Sequence, residues 1–264
     1  MDERVQKVLS RWGIAARRQV EQLIQQGRVE IDGTIAYLGQ KVDPTAVQIS
    51  IDGAVVNPVA CPQRIYLLMN KPRTVVSTCD DPQKRQTVLD LLPPALRHGQ
   101  GIHPVGRLDA DSTGALLLTN DGDLTFYLTH PRHHIPKTYQ VWVEGCPSAS
   151  VLKQWQQGVW LEGQRTLPAD ISILKSHSDR RTLLEIVLKE GRNRQIRRVA
   201  EQLGHPVQTL HRTTIGCIRL KTSSQSQLES GQYRSLTSTE ICFLRSQIDL
   251  TSKRTLSVGE ECRA

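Results

Sequence analysis

Residues 103–122 read His-Pro-Val-Gly-Arg-Leu-Asp-Ala-Asp-Ser-Thr-Gly-Ala-Leu-Leu-Leu-Thr-Asn-Asp-Gly, and no other segment restricts the chain as strongly. The apolar block from Ala115 to Leu118 is a short strand entered through a turn that contains Gly114. Asp109, directly after Arg107-Leu108, lies on the approach to that strand. A lone carboxylate in such a segment can be catalytic without a metal or a cofactor. Its partner should then be a cation from elsewhere in the chain.

An arginine-rich helix near 193–203 offers that cation. Ile196, Val199, Ala200 and Leu203 form one apolar face, and Gly204 and Pro206 stop the helix. At about 100° per residue, Arg194, Arg197, Arg198 and Glu201 fall on the other side. Arg197 sits at the seam between the two faces, where an arginine can reach a carboxylate in a cleft. Arg194 and Arg198 face outward, where phosphates can meet them. The plainer reading is a solvated charged face with i, i+3 and i+4 pairs.

Charge points the same way. The formal net charge is +8, with a sequence pI of about 9.4, which suits a polyanionic partner. Residues 185–221 carry eight Lys/Arg against three Asp/Glu, so most of the excess sits in this one stretch. The start, Met1-Asp2-Glu3-Arg4, shows no secretory pattern, and runs such as Ile65 to Met69 are too short to span a bilayer. The six cysteines lack any Cys-x-x-Cys pair, which argues for reduced thiols and a cytoplasmic location rather than a zinc site. His130, His133 and His134 cluster without acidic or thiol companions and read as an exposed basic loop.

Two domains are expected. Val5, Val8, Leu9 and Trp12 mark a helix ending near Gly13; Val20, Leu23 and Ile24 mark a second, ending at Gly27. Two short alternating strands follow, at 28–31 and 48–51, each closing on Asp-Gly. The module spans residues 1–60. Residues 57–62 form a proline-bearing linker, 61–244 a larger mixed domain, and 245–264 a polar tail expected to be flexible. In the larger domain, strands fall near 115–119, 138–144 and 182–189, and helices near 122–128, 149–157 and 193–203. The class is α+β rather than strict βαβ alternation.

The N-terminal module resembles the α-L RNA-binding domain first known from a ribosomal small-subunit protein. The resemblance rests on Arg4, Val8, Leu9, Arg17-Arg18, Ile24, Gly27-Arg28-Val29 and Asp32-Gly33; Ala16 stands where that family usually has Ser. It implies RNA contacts by Arg17, Arg18 and Arg28. The larger domain closely resembles the ribosomal-RNA pseudouridine synthases of the RsuA/RluB type. The residues that carry this are Gly106 to Asp109, Thr113 to Gly122 and Asn193 to Arg198. Asn70-Lys71-Pro72, Thr129-His130-Pro131, Lys137-Thr138-Tyr139 and Leu210-x-Arg212-x-x-Ile215-Gly216 fall in that family's order. Ala115 replaces the usual Leu, and Arg73-Thr74 replaces a common Gly-containing turn.

The resemblance implies a mainly antiparallel-sheet catalytic domain and a cofactor-free, metal-free isomerase that converts uridine to pseudouridine. Asp109 is then the reactive carboxylate, able to attack the sugar, remove its 2′ proton or stabilise positive charge at C1′. Arg197 becomes its ion-pair partner. Tyr139 is the aromatic that stacks on the uracil and assists at C5; otherwise it is a strand-core tyrosine. Arg107 fills the gap left by the flipped base or holds the adjoining phosphate, and Lys71, Arg192, Arg194 and Arg198 contact the backbone. Asp111 reads as a turn or surface residue, since two nearly adjacent carboxylates flank a glycosidic bond poorly. The expected partner is ribosomal RNA, first of the large subunit and alternatively of the small subunit, met by a monomer away from membranes. A non-catalytic assembly factor would be expected to lack Asp109, Tyr139 or Arg197, and a methyltransferase would need a Gly-rich cofactor loop that is not seen.

Overall fold

A computed structural model describes residues 2–15, 17–56, 63–177, 180–221 and 228–246. Ala16, the expected linker and the expected tail beyond residue 246 lie outside the described residues. The chain divides into two compact units, Met1–Arg64 with Leu92–Ile102, and Ile65–Leu91 with His103–Ala264. The single boundary expected near residue 60 thus gains an excursion. Residues 92–102 contain two prolines and two glycines and carry no periodic signal of where they belong.

In the first unit, β1 (Glu3–Arg4) leads into α1 (Val5–Arg11) and α2 (Arg17–Gln25). β2 (Val29–Ile31), β3 (Thr34–Ile35), β4 (Lys41–Val42), β5 (Ile49–Ile51) and β6 (Ala54–Val55) follow. Each helix ends on a left-handed glycine. Gly13 has φ 77° and Gly27 φ 69°, and the amides of Ile14 and Arg28 reach back to the carbonyls of Leu9 and Leu23. Asp32-Gly33 and Asp52-Gly53 both adopt positive φ, as two-residue hairpin turns require. Val5, Val8, Leu9, Val20, Ile24, Val29 and Ile49 bury one core between the helices and the sheet β3-β2-β5-β6. α3 (Pro94–Arg97) lies in the excursion.

The second unit is built on one nine-stranded sheet. Its strands are β7 (Tyr66–Lys71), β8 (His103–Val105), β9 (Thr113–Thr119), β10 (Lys137–Glu144), β13 (Asp170–His177), β14 (Arg181–Leu188), β15 (Val207–Ile215), β16 (Ile218–Arg219) and β17 (Tyr233–Ser235). The order is β13-β14-β10-β15-β9-β7-β17, with β16 on β15 and β8 on β9. Among these strands only β9 and β15 pair in parallel, so the sheet is mixed and mainly antiparallel, as the family resemblance implies. The helices are α4 (Gly122–Thr129), α5 (Ala149–Gln157) and α6 (Gln195–Gln202); β11 (Trp160–Leu161) and β12 (Gln164–Arg165) make a small hairpin. Residues 238–246 are helical.

Two cores cover different parts of this sheet. Val141, Val143, Leu184 and Ile186 pack with Trp155 of α5 and Ile196, Val199 and Ala200 of α6. Leu68, Ala115 and Leu117 pack with Leu124, Tyr127 and Leu128 of α4 and with Leu244. β14 alternates half-buried and buried positions along its whole length, the mark of a strand with one covered face. β9 is instead buried from Gly114 to Thr119, which explains its unbroken apolar reading. The Asn120-Asp121-Gly122 signal is a helix cap. The Asp121 carboxylate accepts the amides of Asp123 and Leu124, and the hydroxyl of Tyr66.

Candidate active site

The approach to β9 is fixed from three sides. Cross-strand pairing puts Lys71, Gly114, Arg212, Tyr139, Ile186 and Ile171 in one row across the sheet, so their side chains share a face. Gly114 has φ 109°, and a Cβ there would come within 2.2 Å of the Arg212 carbonyl oxygen. Only glycine lets β9 and β15 approach this closely at that point. The loop carrying Asp109 and Asp111 enters the sheet just before this crowded point.

Lys71 clamps that loop. Its side chain is fully buried, and Nζ donates to the carbonyls of Ser112 (2.8 Å), Pro72 (2.9 Å) and Ala110 (3.4 Å). Burial pushes its pKa down to about 8, although Asp111 and Asp109 nearby pull upward. The expectation that Lys71 touches the RNA backbone is corrected: the strand register turns it inward, beneath the loop. The Thr74 amide donates to the Ala110 carbonyl at 2.7 Å. Buried Ser77 donates through Oγ to the Leu108 carbonyl at 2.9 Å and accepts the Leu108 amide. Sequence reasoning missed Thr74 and Ser77, whose partners lie some thirty residues away and leave no spacing signal.

The arginine helix meets this loop, with a different pairing from the expected one. Arg197 Nη2 lies 3.2 Å from Asp111 Oδ2, and also faces the Asp111 carbonyl (3.4 Å) and Ser112 Oγ (3.2 Å). Arg194 Nη1 lies 3.4 Å from both Asp109 Oδ2 and Asp111 Oδ1. The expected Asp109–Arg197 ion pair is therefore corrected; Asp109 pairs with Arg194. The Asp109 side chain is 35% exposed, so burial does not oblige it to hold a compensating cation. Asp109 still acts electrostatically on Arg197, after Asp111. Asp111 keeps the turn position expected of it and is in addition the carboxylate shared by both arginines. Burial pushes its pKa up, but Arg197 and Arg194 outweigh this and hold it below the ordinary value.

The remaining expected residues divide into engaged and exposed. Tyr139 is buried and belongs to the same core cluster as Leu108, the neighbour of Asp109. Arg212, quoted from the sequence but given no role, is buried; Nε donates to the Ala115 carbonyl and Nη2 is buried without a partner. Arg192 is spent on the protein: it donates to the carbonyls of Gln164 and Arg165 and pairs with Glu190. Arg198 pairs with Glu162 at 2.7 Å. Arg28 makes a bidentate pair with Asp52 in the first unit. Arg107, Arg17 and Arg18 are exposed. His130 and His133 pack against Phe126 and Tyr127 as a ring cluster. Among the described residues, no group of His, Cys, Asp and Glu has the arrangement to hold a metal. No helix of the described residues is long and apolar enough to cross a membrane. A groove of about 540 Å³ lined by Thr138, Gln140, Glu185 and His211 lies on the opposite sheet face from Tyr139.

A part-exposed carboxylate on a loop clamped by a buried lysine, facing two arginines, can serve as nucleophile, base or electrostatic stabiliser. The second unit thus presents a loop carboxylate and two arginines together, and the first unit is a small helix–sheet module. Residues 65–202 match the RNA pseudouridylate synthase family, and residues 3–47 match the S4 domain. An uncharacterized RNA pseudouridine synthase of Mycobacterium bovis is 39% identical over 248 residues, covering 94% of each chain. The ribosomal large subunit pseudouridine synthase B of Bacillus subtilis is 37% identical over 249 residues, covering 94% of this chain and 97% of its own. A crystal structure of a pseudouridylate synthase superposes with TM-score 0.65 at 31% identity, covering 91% of this chain and 99% of that one. The chain belongs to the RNA pseudouridylate synthase family and carries an S4 domain at its N-terminus.

Proposed function

We propose that the protein isomerises one uridine of ribosomal RNA, in the large subunit, to pseudouridine in the cytoplasm, acting as a monomer. The observation that carries this reading is Asp109, part-exposed on a loop held by Lys71, Thr74 and Ser77 and faced by Arg194. The choice of the large subunit rests on the Bacillus subtilis relative's description.

The reaction conserves atoms. The N1–C1′ bond breaks, the uracil turns, the C5–C1′ bond forms, and the C5 proton leaves as N1 gains one. The base must first leave its stack, which costs a few kcal/mol. Arg107, exposed two residues before Asp109, fills the vacated space or holds the neighbouring phosphate. Asp109 then meets the sugar, by attack at C1′, by removal of the 2′ proton, or by stabilising charge at C1′. Tyr139 supports the uracil beside Leu108 and assists proton loss at C5. Arg197 supplies fixed positive charge close to Asp109 and Asp111. The S4 domain, through Arg17 and Arg18, binds a nearby structured element.

The test is a pseudouridine map of total ribosomal RNA from cells with and without the gene. One large-subunit position should lose its signal, and Asp109→Ala should fail to restore it while still binding RNA. Loss at a small-subunit position would move the substrate within the same class. An unchanged map would favour an RNA-binding assembly factor instead.

A further inference from the structure

Helix α4 buries Leu124, Tyr127 and Leu128 and turns Phe126 outward, where it is 50% exposed. The core makes no use of this ring. Basic and aromatic side chains from the turn at Pro131–His133 surround it instead. The Arg132 guanidinium lies over the Phe126 ring, 5.3 Å from its centroid, and the rings of His130 and His133 approach to 4.9 and 6.2 Å. His133 also packs on buried Tyr127 at 4.5 Å, which ties the group to the core.

The turn is held by its own groups. The His130 imidazole accepts the Arg132 amide, and His134 ends the turn in the left-handed region at φ 48°. Arg132 Nε donates to His133 Nε2 at 3.1 Å. Burial, and after it the charge of Arg132, holds the His133 pKa below the ordinary value, which keeps the ring neutral and able to accept. Among the described residues no carboxylate pairs with Arg132. An exposed cation therefore rests over an exposed ring and lacks an anion.

The cluster borders the loop that carries Asp109. A Cβ on Gly106 would lie 3.5 Å from Cγ2 of Thr129, the last residue of α4. His103 Nε2 meets Thr125 Oγ1 at 2.9 Å. Exposed Arg107 follows Gly106, and Asp109 is three residues from it, at most about 11 Å along the chain. On its other side the turn runs directly into β10, which carries Tyr139.

We propose that Phe126 and Arg132 form a platform on which an unpaired base of the ribosomal RNA stacks, close to the uridine that enters the site. Aromatic rings and guanidinium planes both take stacked bases, and Arg132 also meets the phosphate that accompanies the base. The platform holds the strand and takes no part in making or breaking bonds. The inference rests on the functional reading given above.

The experiment follows tritium release from unmodified large-subunit and small-subunit rRNA transcripts labelled at uridine C5, and filter binding of the same transcripts, using the full chain. Phe126→Ala should raise KM about 5–100-fold and leave kcat unchanged. Phe126→Leu keeps apolar bulk without a π face and should fail in the same way, whereas Phe126→Tyr should match the wild type. A ring needed only for folding would tolerate leucine. Thermal unfolding of all three variants should stay near the wild-type midpoint, because Phe126 lies outside the core. Arg132→Gln should lower the slope of log affinity against log salt by about one. A wild-type KM in Phe126→Ala, full recovery by Phe126→Leu, or an unchanged salt slope in Arg132→Gln overturns the platform and leaves the functional reading intact. A wild-type chain that releases no tritium from either transcript overturns the functional reading. Filter binding then decides the platform separately, and wild-type affinity in Phe126→Ala removes it as well.

Discussion

Replacing Lys71 by methionine separates its cost as a buried cation from its use as a clamp. Lysine ordinarily titrates near 10.5, and burial brings Lys71 to about 8. The difference corresponds to about 3 kcal/mol against the charged form in the folded protein. Below pH 8 folded and unfolded chains both carry the proton, and this penalty is present in full. Between pH 8 and 10.5 the unfolded chain holds a proton that the folded one has lost, so stability rises with pH. From pH 7.5 to 9.5 the Lys71 contribution works out at about 2 kcal/mol of added stability. Lys71→Met removes it. Urea unfolding at the two pH values should therefore show the wild type gaining about 2 kcal/mol more than the variant. Lys137, also lowered to about 8 by burial, is common to both proteins and cancels. At pH 7.5 the variant leaves the carbonyls of Pro72, Ala110 and Ser112 without this donor. The Ala110 carbonyl keeps the Thr74 amide, so two acceptors are left unmet, at about 1–3 kcal/mol each. Relief of the buried charge offsets about 3 kcal/mol of this, so global stability should fall by no more than about 3 kcal/mol. Activity should fall on the order of 10–100-fold, because the Asp109 loop loses its tether. Parallel pH dependences in the two proteins would refute the buried-cation argument.

Thr74 holds φ 71°, a left-handed conformation that a β-branched residue adopts only under strain. Thr74→Gly should relieve about 1–2 kcal/mol of strain and lose about 0.5–1 kcal/mol to chain entropy, raising Tm by a few degrees; a lower Tm would show that the threonine side chain stabilises the turn by more than its strain. Charge reversal of the exposed pair, Arg17→Glu with Arg18→Glu, should weaken binding to a structured rRNA fragment and flatten its salt dependence by about one for each phosphate no longer neutralised. Filter binding across a salt series measures this, and an unchanged slope would remove α2 from the RNA interface.

In the N-terminal unit α1, α2, β2 and β5 are legible in the sequence, whereas β1, β3, β4 and β6, of two residues each, are too short to show a period. The legible signals are local: helix faces of period 3.6, left-handed glycines at the helix ends and Asp-Gly turns between paired strands. In the second unit, β9, β10, β14 and the three main helices follow from the same patterns. β13 and β15 do not, because their interrupted apolar runs acquire meaning only beside β10 and β14. The excursion at 92–102 has no periodic signal at all.

The site shows the same division. Sequence by itself determined local placement: Asp109 at the mouth of a buried strand, Tyr139 on the next strand along the chain, and an arginine cluster on an amphipathic helix. It also determined the local conformation around them, because turns, caps and face periodicity depend on neighbours within a few positions. Tertiary structure alone decided who pairs with whom. Lys71 turned inward to hold the loop because β7 sits in register with Gly114. Arg197 went to Asp111, leaving Arg194 for Asp109, because the distance between side chains some eighty-five residues apart depends on how the helix meets the sheet. Ion pairs act over a few ångströms, and the position of α6 against the loop sets those ångströms through the core packing of Ile196, Val199 and Ala200.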